Sequence, residues 1–333
     1  MNINYYKVNI KSFNFSNLIN LLLSIIRDII ETRRKIVIYR LEMEEYYMKF
    51  KEYGNNNNDT IMLLHGGGLS WWNYREVAER LQENYHIIIP ILDGHSGSDR
   101  KFTSIEDNAQ EIIEYITNNY NGNICLIGGL SLGGQILLEI LSRKNDICDY
   151  AIIESALAVP MKSTSKMIRP AFSMSYGLIS QKWFSKLQFN SLKIRKDLFN
   201  EYYRDTCEID KENMIAFMEA NSKYEIKDSL KNTNAKVLVV VGDKERPIMK
   251  KSASLIHQKI NESRIEILPN YYHGEFSINN PQQYVVAINE LIANRKKQIK
   301  SELEGNVGTN NLEKAKIQLE ERSKTKIKSL DER

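Results

Sequence analysis

The chain is poor in cysteine. Cys125, Cys148 and Cys207 are an odd number with no CxxC spacing, so neither a disulfide framework nor a zinc site is suggested, and a reducing, cytoplasmic setting is expected. Long apolar runs are missing as well. Leu18 to Ile30 is rich in Leu and Ile, but Asn20, Arg27 and Asp28 interrupt it, and its longest clean run is Leu21 to Leu23. That is far below the roughly 20 residues a membrane span needs. Arg33, Arg34 and Lys35 follow this stretch, whereas the charges of a signal peptide precede its apolar core, and no small-residue cleavage site comes after it. An amphipathic helix is the better reading. Such helices ordinarily pack on their own domain, and contact with a membrane surface is the minority alternative. The body of the chain also lacks a charge surplus. Of 46 Lys/Arg and 42 Asp/Glu, 11 and 7 lie from Arg295 onward, which leaves 35 of each before it. A balanced body offers no clustered basic face for nucleic acid.

What the sequence does have is alternation. Short apolar runs at Thr60 to Leu64, His86 to Leu92, Ile124 to Ile127, Tyr150 to Ile153, Val237 to Val241 and Ile265 to Leu268 have strand length. Most are too uniformly apolar for a half-exposed sheet, so burial on both faces is expected. Helical patterns separate them at Tyr74 to Gln82, Ile105 to Ile116, Gln135 to Ser142, Ile248 to Ile260 and Gln282 to Ala293, with Ser104 and Asp107 placed as a capping pair for the second. The pattern predicts an α/β fold with a mainly parallel sheet flanked by helices. One region breaks it. About residues 160–230 offer no strand but many large apolar and aromatic side chains, among them Trp183 and Phe184. This stretch is expected to be a helical cap inserted between two strands and overhanging the sheet. The division expected is therefore 1–42 as an N-terminal amphipathic helical extension, 43–294 as the main domain with its cap, and 295–333 as a charged helical or disordered tail.

Three stretches carry chemistry. Residues 127 to 135 read IGGLSLGGQ directly after an apolar run. Gly129 to Gly133 fill G-x-S-x-G, the pattern of a serine held on a strained strand-to-helix turn, although a glycine-rich connection alone would explain the composition. His65 to Gly68 form an HGGG turn at the end of a strand, where glycines leave backbone N–H groups unobstructed for a developing oxyanion. After Val241 comes Gly-Asp-Lys-Glu, and after the last strand Pro-Asn-Tyr-Tyr-His-Gly, which places one of only five histidines, His273, at a strand end. The chain order is serine, acid, histidine.

From about Met43 to Ala293 the sequence resembles enzymes of the α/β-hydrolase-fold superfamily, in their serine esterase and lipase-like branch. HGGG, the loop LDGHSGSD (Leu92 to Asp99), the serine elbow, a Gly-x-x-acid turn and a terminal His-Gly occur in the order of that family. The resemblance implies Ser131 as nucleophile, His273 as general base and Glu245 as the acid orienting it. Asp243 has the family's usual residue type at an unusual offset and stays the alternative. The backbone N–H groups of Leu132 and of Gly67, with Gly68 as its neighbour, are the implied oxyanion hole. His65 is expected to pin that loop, and Trp71, Trp72 and His95 are candidates for the substrate pocket. No cofactor and no metal is expected.

The activity implied is hydrolysis of a small-molecule carboxylic ester or thioester through an acyl-enzyme. A carbon–carbon bond hydrolase, an acylglycerol lipase and a non-catalytic small-molecule receptor of the same fold are the alternatives. A serine at the elbow argues against haloalkane dehalogenase and epoxide hydrolase chemistry, which puts Asp there.

Overall fold

A computed structural model describes residues 26, 27, 29–35 and 48–305. It divides at Tyr47 into two units. In the first, the described residues form helical turns (α1) with exposed side chains. The rest of the expected 1–42 extension, and residues 306–333 of the expected tail, lie outside the described residues.

The second unit is built on seven strands: β1 (Lys49–Tyr53), β2 (Thr60–Leu64), β3 (His86–Ile91), β4 (Ile124–Leu130), β5 (Cys148–Glu154), β6 (Lys236–Gly242) and β7 (Ser263–Leu268). Their order across the sheet is β1-β3-β2-β4-β5-β6-β7. β1 runs antiparallel to β3 and every other neighbouring pair is parallel.

Side chains alternate between two apolar layers. Ile61 and Leu63 of β2 face the layer of α2 (Arg75–Leu81), α10 (Glu275–Ile278) and α11 (Pro281–Gly305), while Met62 and Leu64 face α3 (Ile105–Asn119), α4 (Leu132–Arg143) and α9 (Pro247–Lys259). A strand covered on both sides has no solvent face for polar residues, which is why TIMLL is apolar throughout. β7 departs from the expected double burial. It is the sheet edge, and Ile267 is 54% exposed. α3 opens at the expected cap, where Ser104 Oγ accepts the Asp107 N–H at 2.9 Å.

Between β5 and β6 the chain forms α5 (Lys162–Ile179), α6 (Lys182–Ser191), α7 (Phe199–Glu208) and α8 (Lys211–Lys223), with no strand among them. α11 continues unbroken to Gly305, through the position at which the charged tail was expected to begin. The strand order reverses between β2 and β4, so the crevice past their C-terminal ends is the position where a sheet of this kind binds ligands.

Candidate active site

Ser131 occupies the single residue between β4 and α4, with φ 53° and ψ −110°. Side chains other than glycine rarely adopt such a backbone, so the turn persists only because its surroundings hold it. The Ser131 N–H donates to the Glu154 carbonyl at 2.9 Å, and the Ser131 carbonyl accepts from Gln135 at 3.0 Å. The flanking glycines have a steric reason. A Cβ on Gly133 would lie 2.1 Å from the Leu64 carbonyl oxygen, and one on Gly129 would lie 2.5 Å from that of Gly133. Larger residues would push α4 away from β2 and unwind the turn.

The HGGG turn leaves β2 next to it. His65 is fully buried; its Nε2 accepts the Leu92 N–H at 3.2 Å, so Nδ1 carries the proton and donates to the Gly66 carbonyl at 3.0 Å. Burial, reinforced by His95 nearby, pulls the His65 pKa down to about 3, which keeps it neutral. Asn73 Oδ1 accepts the Gly66 N–H at 3.1 Å, a second tie on the same loop. Leu132 is the first residue of α4, and its N–H is among those that a helix start leaves without an intrahelical acceptor.

His273 Nδ1 lies 2.8 Å from Glu245 Oε2. The other carboxylate oxygen accepts from Ser155 Oγ at 2.6 Å and from the Gly242 N–H at 2.9 Å. Burial pushes the Glu245 pKa up, but the His273 bond and charge, with those two donors, outweigh it and hold the carboxyl below its ordinary value. Asp243 is engaged elsewhere. Its Oδ1 accepts the Asn270 N–H at 2.7 Å.

Two contributors were missed in the sequence, and both sit at the end of β5. Ser155, itself at φ 53°, orients Glu245. Glu154 is buried and its Oε1 accepts the N–H groups of Phe276 and Ser277 at 3.1 and 3.2 Å, anchoring the turn just past His273. Burial raises the Glu154 pKa to about 7 against the lowering effect of the Ser277 bonds, with the Glu245 charge adding to the rise and His273 opposing it. A polar pair closing a buried strand was the available signal.

Ser131, His273 and Glu245 border one cavity of about 450 Å³, which Gly66, Gly67 and Leu132 also line. Ser131 Oγ makes no hydrogen bond among the described residues. The insertion supplies Leu192, Ile194, Phe217 and Met218 to the lining of the same cavity. The expected pocket residues are placed otherwise. Trp72 is buried with its Nε1–H on Asp205 Oδ2 at 2.7 Å, tying the loop to α7, and Trp71 lies between Lys51 and Arg75. His95 does not border the cavity; it stacks on Phe217, which does, with ring centroids 4.5 Å apart, and burial lowers its pKa to about 4. Trp183 and Phe184, aromatics of the expected cap, do not border the cavity either. Among the described residues, no group of three or more His, Cys, Asp or Glu is placed to hold a metal ion.

A serine on this turn, at the crevice of a mostly parallel seven-stranded sheet flanked by helices, defines the chain as an α/β-hydrolase. Residues 55–277, more than half of its length, match the family described as serine aminopeptidase, S33, and the chain belongs to that family. It is 21% identical over 274 residues to the uncharacterized hydrolase YugF of Bacillus subtilis, covering 77% of this chain and 96% of that protein. Solved structures with the same fold include a thermophilic esterase from Thermogutta terrifontis, at 17% identity and TM-score 0.62 over 74% of this chain and 93% of that one. Another is a carboxylesterase structure from Nitrososphaera gargenis, at 16% identity and TM-score 0.62 over 75% and 96%.

Proposed function

We propose that the protein is a serine hydrolase that cleaves a carboxylic ester or thioester through an acyl-enzyme on Ser131. The observation that carries this reading is the 2.8 Å contact between a buried carboxylate and His273 on the wall of the cavity that Ser131 also borders. With Nδ1 committed to Glu245, Nε2 is the nitrogen left to take the serine proton. Ser131 Oγ then bonds to the substrate carbonyl carbon, and the oxygen takes up negative charge facing the N–H groups of Gly67 and Leu132. Each such donor contributes about 3 kcal/mol to a transition state of this kind, and the positive end of α4 adds to the same field.

Collapse of the intermediate breaks the bond to the alcohol or thiol, which leaves with the proton from His273. Water, deprotonated by the same histidine, then releases the acid and restores Ser131. Glu245 keeps the imidazole in the required tautomer and offsets its charge when protonated.

The cavity supports a small to medium acyl group. Leu69, Leu130, Leu157, Met218 and Met249 make it mostly apolar, so binding rests on burial of hydrocarbon. Three free thiols support the cytoplasmic setting; among the described residues no helix is long and apolar enough to cross a membrane.

The test is hydrolysis of a series of soluble acyl esters by the parent and by Ser131→Ala. The expected result is loss of turnover by a factor of a thousand or more, on the order seen for nucleophile removal, with unchanged thermal stability. A variant within about tenfold of the parent would contradict the reading.

A further inference from the structure

The insertion carries a surface that hydrolysis does not use. From Ser155 to Lys196 the sequence holds eight Lys and Arg residues and no Asp or Glu. A solvated surface ordinarily mixes both signs. Here one sign is joined to exposed hydrocarbon. α5 buries Ser165, Ile168 and Ile179, and a second stripe on the same helix, Met167, Met174 and Leu178, stays in solvent. Their spacing of seven and four places them on one face. Met174 is 87% exposed. On α6, Ser185 and Phe189 turn inward while Trp183 and Leu187, four residues apart, are each more than 60% exposed.

The cations around these residues are largely uncommitted. Lys166, Lys182, Lys186 and Lys196 are exposed and have no acidic partner among the described residues. Arg169 is paired with Glu212 and Glu219, and Arg195 with Glu76 and Asp197.

We propose that the outer face of α5 and α6 docks on an anionic lipid surface, with Trp183, Leu187, Met174 and Leu178 at the boundary between headgroups and acyl chains and the lysines on lipid phosphates. Charge decides between occupants. A second copy of the chain would set one wholly basic segment against another, which repels, whereas an anionic bilayer supplies the missing counter-charge together with an apolar layer for the stripe. A lone apolar stripe without lysines would fit many partners; this pairing fits a membrane interface.

Position gives the surface a use. Leu192, at the end of α6, is partly exposed and also borders the cavity. On the proposed hydrolase reading, docking would hold the end of α6, and with it the cavity that Ser131 borders, close to the bilayer from which an ester would come. Binding itself does not depend on that reading.

The experiment is co-sedimentation of the full chain with vesicles of phosphatidylcholine alone and of phosphatidylcholine mixed with phosphatidylglycerol, in the Ser131→Ala background so that turnover cannot alter the lipid. The expected result is at least tenfold tighter partition to the anionic vesicles, lost at high salt. Lys182→Gln with Lys186→Gln should weaken it several-fold, and Met174→Ser with Trp183→Ser should weaken it as strongly at exposed positions that leave the fold intact.

Equal partition to both vesicles, or no partition, would overturn the proposal. So would binding that both double variants leave unchanged, because another surface would then hold the bilayer. Self-association abolished by Met174→Ser with Trp183→Ser would assign the face to a second copy. Parent activity on a water-soluble ester is measured in parallel. Hydrolysis without vesicle binding removes only the docking surface, and vesicle binding without hydrolysis removes only the hydrolase reading.

Discussion

Glu245 Oε2 stands 2.8 Å from His273 Nδ1, although 28 residues separate the two along the chain. β6 and β7 are parallel neighbours, so the turns that follow them come to the same edge of the sheet and bring the acid to the histidine. Glu245 reaches it because its second oxygen is held by Ser155 and Gly242, which fixes the carboxylate in one orientation. Asp243, two residues earlier, is bonded to the Asn270 N–H instead.

Glu245→Gln is accordingly expected to lower kcat by roughly a thousandfold or more, with little change in KM, because an amide cannot balance a protonated imidazole. Asp243→Asn should stay within a few-fold of the parent. Steady-state kinetics on one soluble ester ranks the two, and the reverse ranking would move the acid to Asp243.

Acyl selectivity should follow the residues that border the cavity. Met218→Ala and Leu192→Ala remove hydrocarbon from its wall and should shift the preferred chain by one or more carbons upward, since each buried methylene is worth about 0.8 kcal/mol. Phe184→Ala should leave the length optimum where it is. Measuring kcat/KM across straight-chain esters checks this, and a shift in Phe184→Ala without one in Met218→Ala would place specificity outside the observed wall.

Much of the architecture could be read from the residues because it is written in local pattern. The apolar strands announce themselves by having no polar face, and a serine between Gly129 and Gly133 marks a turn where a Cβ would strike the neighbouring backbone. β1 was not legible, since KFKEY is an edge strand with mostly solvent-facing side chains and no apolar run. The pocket was legible only in part. Trp72 follows the HGGG turn as a pocket residue would, but Asp205, 133 residues further on, takes its N–H and holds it inside the packing of α7. Phe217 and Met218 carry no local mark that separates them from the core residues of α8. Such placements depend on how the insertion packs, and periodicity does not encode that.

The most direct test of the central claim is labelling by a fluorophosphonate, which forms a stable bond only with a serine whose proton can be withdrawn. The account predicts one adduct, located by peptide mass spectrometry on Ser131, and loss of labelling in His273→Ala at unchanged fold. An unlabelled, folded parent protein, or an adduct on any other residue, would contradict it.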